Sequence, residues 1–464
     1  MYKDKTYMRF LSNCFKICWR INTFLGETKS LLISVSAFSV LGIALVLKPF
    51  FDFQYCGYLA IFCLAVSVGC AIKKIPENKK VRLQFLIPVM TLGVLYLISA
   101  AIFSDGNRII IGLSFFLMIP IIGIALCEKG NYMSFFNSFG FASEITFIFI
   151  LIASVIFAPF FDLQYSSIML NPNGLSETIV PIITGTIWII EYHGKEKIKK
   201  KVVIFSLILL SFEIVFIILT RSRTGLLALL AILTLWLVFT IIRKRNFLTI
   251  IKRIGSLLLL CLIALTIITG PLLKVNQIII NKEYSLLGYA VYFTTKDFIK
   301  SYNKEEFNSI VSSESQSEVI GGMVDRIEKG KSANEDISSG RFDIWKNAVE
   351  SLTLLGHRSD ETFSVPERNL ETNDAHNMIL SIGFQIGYVG SIVAIIFTIV
   401  HGICFFGILF RSIKSNNMEL KKFHYLIITG AFFTISMLSN TFSPLGSMIG
   451  IAFWCAQPII YGEE

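Results

Sequence analysis

The sequence predicts an all-α polytopic membrane protein of about twelve transmembrane helices with one large extracytoplasmic loop. Three observations predict it. Hydrophobic residues make up 54% of the 464 positions and charged residues only 16%, with a mean hydropathy of +0.67, too apolar for a water-soluble globule. The apolar residues gather in runs long enough to cross about 30 Å of hydrocarbon as helices. A single polar stretch, residues 274–375, interrupts them.

Residues 1–29 read as a cytoplasmic N-terminal segment. They form a basic lead (Lys3, Lys5, Arg9, Lys16, Arg20, Lys29), and the first apolar run begins near Ser30, so it reads as a first span rather than a cleavable signal. Apolar runs follow at 30–49, 55–72, 83–103, 109–127, 141–160, 177–192, 202–220, 224–242 and 254–272, a bundle of about nine helices over residues 30–272. Residues 273–387 form the loop. Runs at 388–410, 425–441 and 444–461 give about three further helices over 388–464.

Lys and Arg orient the chain. Clusters recur at the N-terminus, at Lys73, Lys74, Lys79, Lys80 and Arg82, at Lys195 to Lys201, at Arg243 to Arg253, and at Arg411, Lys414, Lys421 and Lys422. With twelve spans all five fall on one side, which places both termini in the cytoplasm and the long loop outside the inner or plasma membrane. Acids such as Glu305, Glu306, Glu314, Glu318, Glu335, Asp336, Asp343 and Glu371 outnumber bases in the loop, so the net charge of +10 is a topology signal and no nucleic-acid partner is implied. None of the nine cysteines lies in the loop, so no disulfide framework is expected. Cys14 and Cys18 are spaced i, i+4, yet no further ligand completes a zinc site, and they read as apolar filler.

Within the loop, residues 301–340 are rich in Ser, Glu, Lys and Asn and read as a flexible arm. Order is expected to resume at Ser339. Phe342, Trp345, Val349 and Leu352 then recur at helical spacing, with Ser338 or Ser339 as N-cap and Gly356 as the stop. A second short helix, Ala375 to Gly387, would present His376 at the membrane surface.

The chemistry-bearing residues gather at boundaries. Arg221 and Arg223 sit at a corner between two spans, where an unpaired arginine in hydrocarbon costs about 2.5–3.5 kcal/mol. Two readings compete: snorkelling to headgroups, or binding an anion. On one continuous helix the two would diverge by about 200°, so one would face inward, and Glu213, about two turns below, is its candidate partner. Arg341 offers a planar fork that matches phosphate oxygens; the bland reading is a solvated arginine paired with Asp343 or Glu350. His376 is a candidate general base because imidazole titrates near neutrality, with Asp374 to orient it, although a lone histidine is usually structural.

The order Thr220-Arg221-Ser222-Arg223-Thr224-Gly225, then Ser339-Gly340-Arg341-Phe342-Asp343-Ile344-Trp345, then Leu355-Gly356, then Ala375-His376-Asn377-Met378-Ile379-Leu380 resembles the O-antigen ligase and polymerase family. Asn171-Pro172-Asn173-Gly174 is similar to a recurrent patch there. The resemblance spans roughly residues 165–395 and implies a GT-C type, inverting, metal-independent glycosyltransferase with no cofactor. It implies a donor and an acceptor glycan carried on undecaprenyl diphosphate, with a flippase and a chain-length regulator as partners. Carried over residue by residue, Arg223 and Arg341 would bind the diphosphate and His376 would take the acceptor's proton; Asn173, Asp374, Arg221, Glu213 and His357 are supporting candidates. Two departures stand out. Arg221 replaces a more usual small residue, and His357-Arg358 follow Gly356 where a second glycine is common, which makes His357 a rival base. Polymerisation of repeat units into O-antigen or capsule is the expected activity. Ligation to another acceptor, and transport of lipid-linked glycan, are the alternatives.

Overall fold

A computed structural model describes residues 5–48, 53–75, 83–157, 160–161, 164–165, 167–169, 171–194, 199–244, 247–281, 341–368, 370–439 and 441–458. The arm expected at 301–340, with its acids and the Ser338 or Ser339 cap, lies outside them. The helices are α1 (Lys5–Leu25), α2 (Glu27–Val46), α3 (Phe53–Ala71), α4 (Leu83–Phe103), α5 (Gly106–Leu113), α6 (Ile119–Leu126), α7 (Lys129–Phe157), α8 (Pro172–His193), α9 (Lys200–Thr220), α10 (Arg223–Lys244) and α11 (Phe247–Asn281). After them come α12 (Arg341–Glu350), α13 (Met378–Ile386), α14 (Tyr388–Ser415), α15 (Leu420–Ser436) and α16 (Met448–Ala456). Two small antiparallel hairpins interrupt the helices: β1 (Phe160–Phe161) with β2 (Gln164–Tyr165), and β3 (Phe363–Val365) with β4 (Leu370–Thr372).

Among the described residues nine helices are long and apolar enough to cross a membrane, which makes the chain an all-α, multi-pass membrane protein. The expected spans at 55–72 and 425–441 fall on α3, of 19 residues, and on α15, of 17 residues, and the last on the nine residues of α16. At 1.5 Å per residue these reach about 28, 26 and 14 Å, so α3 and α15 fall at the short end of the spanning range and the nine residues of α16 below it. The span expected at 109–127 is composite: α5 and α6 are joined by a π-helical turn, Ser114–Met118, and Asp105 caps the start by accepting from Asn107 N and Arg108 N.

α8 is the centre of the bundle, packed by α7, α9, α10, α15 and α16. Its apolar window is 78% buried, against 11% for Ile251–Ile268 of α11, whose Leu258, Leu259 and Leu262 face outward as lipid-facing residues do. The N-terminal segment is helical: Asn22 Nδ2 donates to Gly69 O (2.7 Å) and Ile72 O (3.0 Å), which docks α1 on the end of α3. Ile17, Trp19, Ile21 and Phe24 are left exposed.

The polar segment has its own small core of Ile344, Ala348, Phe363, Val365, Ala375 and Phe384. α12 therefore buries Ile344 and Ala348, while Phe342 and Val349, expected from spacing alone to mark the apolar face, are exposed. The helix also ends at Glu350, six residues before the expected stop. Gly356 does something else. Its φ is +85° and a Cβ there would lie 2.3 Å from Gln385 O; Gly387 (φ +90°) approaches Leu354 O at 1.9 Å in the same sense. His357 N donates to Phe384 O (2.9 Å) and Tyr388 N to Thr353 O (2.9 Å), so two stretches of main chain cross in direct contact. Arg108 joins this crossing to the bundle. It pairs with buried Asp105 (3.0 Å) and donates to Ser99 Oγ (2.6 Å) and to the His357 carbonyl, while Ser99 Oγ donates to Gln385 O (3.1 Å) and Tyr96 to Gln385 Oε1 (3.0 Å).

Candidate functional site

The corner between α9 and α10 does not continue as one helix. Arg221 closes α9 in the left-handed region (φ 51°) and is buried, and Arg223 opens α10, so the angular separation expected for two residues on one helix does not apply. Ser222 ties the corner together: its Oγ donates to Asn173 Oδ1 (2.8 Å) and accepts from Gly225 N (3.2 Å). Gly225 permits this approach, since a Cβ there would fall 2.5 Å from Ser176 Cβ. Asn171 caps α8 by accepting from Asn173 N (2.9 Å). The Asn171–Gly174 patch and the arginine corner thus form one surface.

Glu213 has a different neighbour from the expected arginine. It is fully buried, Thr186 of α8 donates to its Oε1 (2.7 Å), and Oε2 has no hydrogen-bond partner among the described residues. A threonine hydroxyl one helix away is nearer than the corner two turns up.

Arg341 opens α12 beside this surface. Burial pushes its guanidinium below the usual arginine pKa; the charge of Glu177 opposes that shift and the charge of Arg223 adds to it. Arginine remains charged under such shifts, so two cations face one another at this end of the bundle with a carboxylate nearby. Glu177, in the second turn of α8, lies within electrostatic reach of Arg341, Lys48 and Asp374. Lys48 Nζ donates to Gly446 O (3.3 Å).

His376 lies in the turn before α13, with φ +48°. Asp374 shapes that turn: its Oδ1 accepts from His376 N (2.9 Å) and from Ser381 Oγ (3.2 Å), and its Oδ2 lies 3.4 Å from His376 Nδ1. Asn377 caps α13 through Ile379 N and Leu380 N and donates to Met437 O (3.2 Å). The imidazole is about half exposed, and its Nε2 has no hydrogen-bond partner among the described residues. His357 is held differently. Its Nε2 donates to Ser351 O (2.6 Å), its Nδ1 faces Glu361 Oε2 (2.9 Å), and its ring stacks on Phe384 at 4.3 Å. A ring with both nitrogens committed to acceptors offers no lone pair to a substrate hydroxyl.

Sequence reasoning passed over Glu177 and Lys48. Both carried a signal. Glu177 is an acid at the edge of an apolar run, the same flag that singled out Glu213. Lys48 is a lysine at the end of the first span opposite its basic lead, against the pattern used for orientation.

No curated protein and no solved structure gives a significant match. A family model described as O-antigen ligase matches residues 205–395, a segment that holds Glu213, Arg221, Arg223, Arg341, His357, Asp374 and His376. Together with the multiple apolar helices, that match supports an O-antigen ligase/polymerase-like family for this chain.

Proposed function

We propose that the chain polymerises undecaprenyl-diphosphate-linked oligosaccharide repeat units into O-antigen or capsular polysaccharide on the outer face of the cytoplasmic membrane, as an inverting, metal-independent glycosyltransferase of the GT-C type. Residues 273–387 are then extracytoplasmic, both termini are cytoplasmic, and the bundles over 30–272 and 388–464 hold the carrier lipid. The observation that carries the reading is Arg341 set against Arg223 at a half-buried corner, with the open imidazole of His376 at the same end of the bundle.

The chemistry follows from those groups. The acceptor hydroxyl oxygen attacks the anomeric carbon from the face opposite the diphosphate. The bond from that carbon to the diphosphate oxygen breaks, and its electron pair stays on the phosphate. Two guanidiniums aimed at that oxygen stabilise the charge as it grows. His376 Nε2 takes the hydroxyl proton, with Asp374 holding the ring by its other nitrogen.

The same family description fits a second reading, transfer of a finished glycan to another acceptor. Purified protein in vesicles, given lipid-linked repeat units alone, separates them: a ladder of lengths is polymerisation, whereas product that forms only when a separate acceptor is added is ligation. Movement of the lipid-linked glycan without joining makes the chain a transporter. In a Cys-free background, Ser359→Cys should react with a membrane-impermeant maleimide in intact cells and Ser415→Cys should not. The reverse pattern overturns the orientation.

A further inference from the structure

α1 takes no part in the proposed reaction, and its faces are chemically distinct. One face holds it to the bundle. Phe15 is buried, Asn22 Nδ2 donates to Gly69 O and Ile72 O at the end of α3, and Asn22 Oδ1 accepts from Ser30 Oγ of α2 (3.2 Å). Ile17, Ile21 and Phe24 recur at i, i+4 and i+7, so they share a second face, and they are 56%, 51% and 91% exposed. Lys16 and Arg20, both exposed, lie about 80° to one side of that row at 3.6 residues per turn, and positions 5 and 9, a lysine and an arginine, fall in line with them. α1 contains no acid. Gly26 (φ +78°) separates α1 from α2, so α1 turns off at the water–hydrocarbon boundary where the first span begins. Lys73 N donates to Asn131 Oδ1 (2.8 Å) near the start of α7, and Asn137 of α7 bonds His193 at the end of α8 (2.9 Å). α1 therefore sits at the C-terminal end of α8, and the arginine corner, tied to Asn173, sits at the other.

We propose that α1 is an interfacial helix: Ile17, Ile21 and Phe24 enter the leaflet at the N-terminal end of α2, and the basic row beside them binds anionic phospholipid headgroups there. Chain continuity names the occupant. One residue separates α1 from a span, so the bilayer is the apolar phase within reach of its exposed row. Charge names the lipid. A row of cations with no acid on the helix needs anions beside the apolar face, which is where phosphate headgroups lie, and Lys and Arg stems reach them while their methylenes stay against the acyl boundary. Lys29, Lys73 and Lys74 are exposed at the same end and add to the field, although Lys73 is shared with Glu27 (2.9 Å). A protein partner would have to bring both an apolar groove and a matching row of acids. With the orientation proposed above the leaflet is the cytoplasmic one, opposite the candidate site, so the lipid contact does not depend on the reaction assigned there.

Two measurements on the purified full-length protein test this. In the first, phosphatidylglycerol or phosphatidylcholine is titrated into detergent-solubilised protein and the melting temperature is followed, since a lipid that binds the folded state raises it. Phosphatidylglycerol should act at lower concentration than phosphatidylcholine, and high salt should remove the difference. The double variant Lys16→Gln/Arg20→Gln, both exposed positions, should lose about tenfold in apparent affinity for phosphatidylglycerol and none for phosphatidylcholine. Equal titrations with the two lipids, or the same phosphatidylglycerol titration for wild type and variant, overturn the anionic-lipid site. The second measurement reads depth. In a Cys-free background reconstituted in vesicles containing phosphatidylglycerol, an environment-sensitive fluorophore on Phe24→Cys should emit as in an apolar phase and be quenched by lipid spin-labelled near the headgroup, and one on Thr23→Cys much less. A Phe24→Cys label that reports water in vesicles overturns the insertion. If that label is shielded only in native membranes and crosslinks there to another polypeptide, the face belongs to a protein and the inference is wrong. The titration keeps the native cysteines, so it decides alone if the Cys-free protein does not fold.

Discussion

α8 carries a glutamate near each of its ends, and the two are used differently. Glu191 is 6% exposed and its partners close around it. Arg243 pairs at 3.2 Å, Arg253 pairs as well, Trp236 Nε1 donates at 2.9 Å, and Arg253 lies 4.3 Å over the Trp236 ring. One acid, two arginines and an indole thus tie α8 to α10 and α11. Glu177 also has cations near it, yet it is half-buried, and Arg341 feels both its attraction and the repulsion of Arg223. Like charges held together lower stability, and in the proposed function a bound diphosphate offsets that cost. At one end of α8 the acid is closed in by its partners, and at the other it stays half-exposed beside the arginines that the proposed function assigns to a diphosphate.

Breaking the open cluster should have the largest effect. Arg223→Ala and Arg341→Ala should each reduce polymer to background on a gel while protein remains in the membrane by immunoblot. Lysine at either position should rescue poorly, because a point charge does not reproduce the planar fork. Normal polymer from both alanine variants would remove the arginines from the mechanism.

His376→Ala comes next, with the chemical step slowed about 10²- to 10⁴-fold and carrier binding retained. A variant that loses donor binding in step with rate would make His376 a binding group.

The clamp sharpens the comparison from the other side. Glu191→Ala should lower the stability of detergent-purified protein by about 2 kcal/mol, since two partly buried arginines lose their partner, while activity per folded molecule holds. Lost activity at unchanged melting temperature would show that both ends of α8 are functional. The smallest effect is expected for His357→Phe. It keeps the stack on Phe384 but loses two hydrogen bonds, about 1 kcal/mol of stability, with near-normal polymer. An inactive, fully folded His357→Phe protein would instead make His357 the base.

Much of the bundle was legible because lipid-facing helices need long apolar runs, and those runs are visible in any window. The runs at 425–441 and 444–461 read as spans from composition, which registers apolar residues and not where a helix begins or ends. Local breaks were harder. Arginine in the left-handed region at position 221 carries no sequence signal, since that conformation usually selects glycine or asparagine. The face of α12 was misread for a related reason: Phe342 and Val349 fit the helical period, but β3 and α13 offered contacts to Ile344 and Ala348 instead. Arg223, Arg341 and His376 were visible as residue types at boundaries. Glu177 and Lys48 were passed over because each lay at the margin of an apolar run and was counted with it.

The crossing at Gly356 and Gly387 sets how the candidate residues tolerate change. Arg341 lies on a helix that ends six residues before one glycine, and His376 lies 11 residues before the other. Their separation is consequently gauged by main chain lying on main chain, a ruler without rotamers. Apolar side chains around Ile344 and Phe384 can trade volume among themselves without altering it. A single methyl group at either glycine would change the ruler itself, and a chain so altered would keep its charges and lose their spacing.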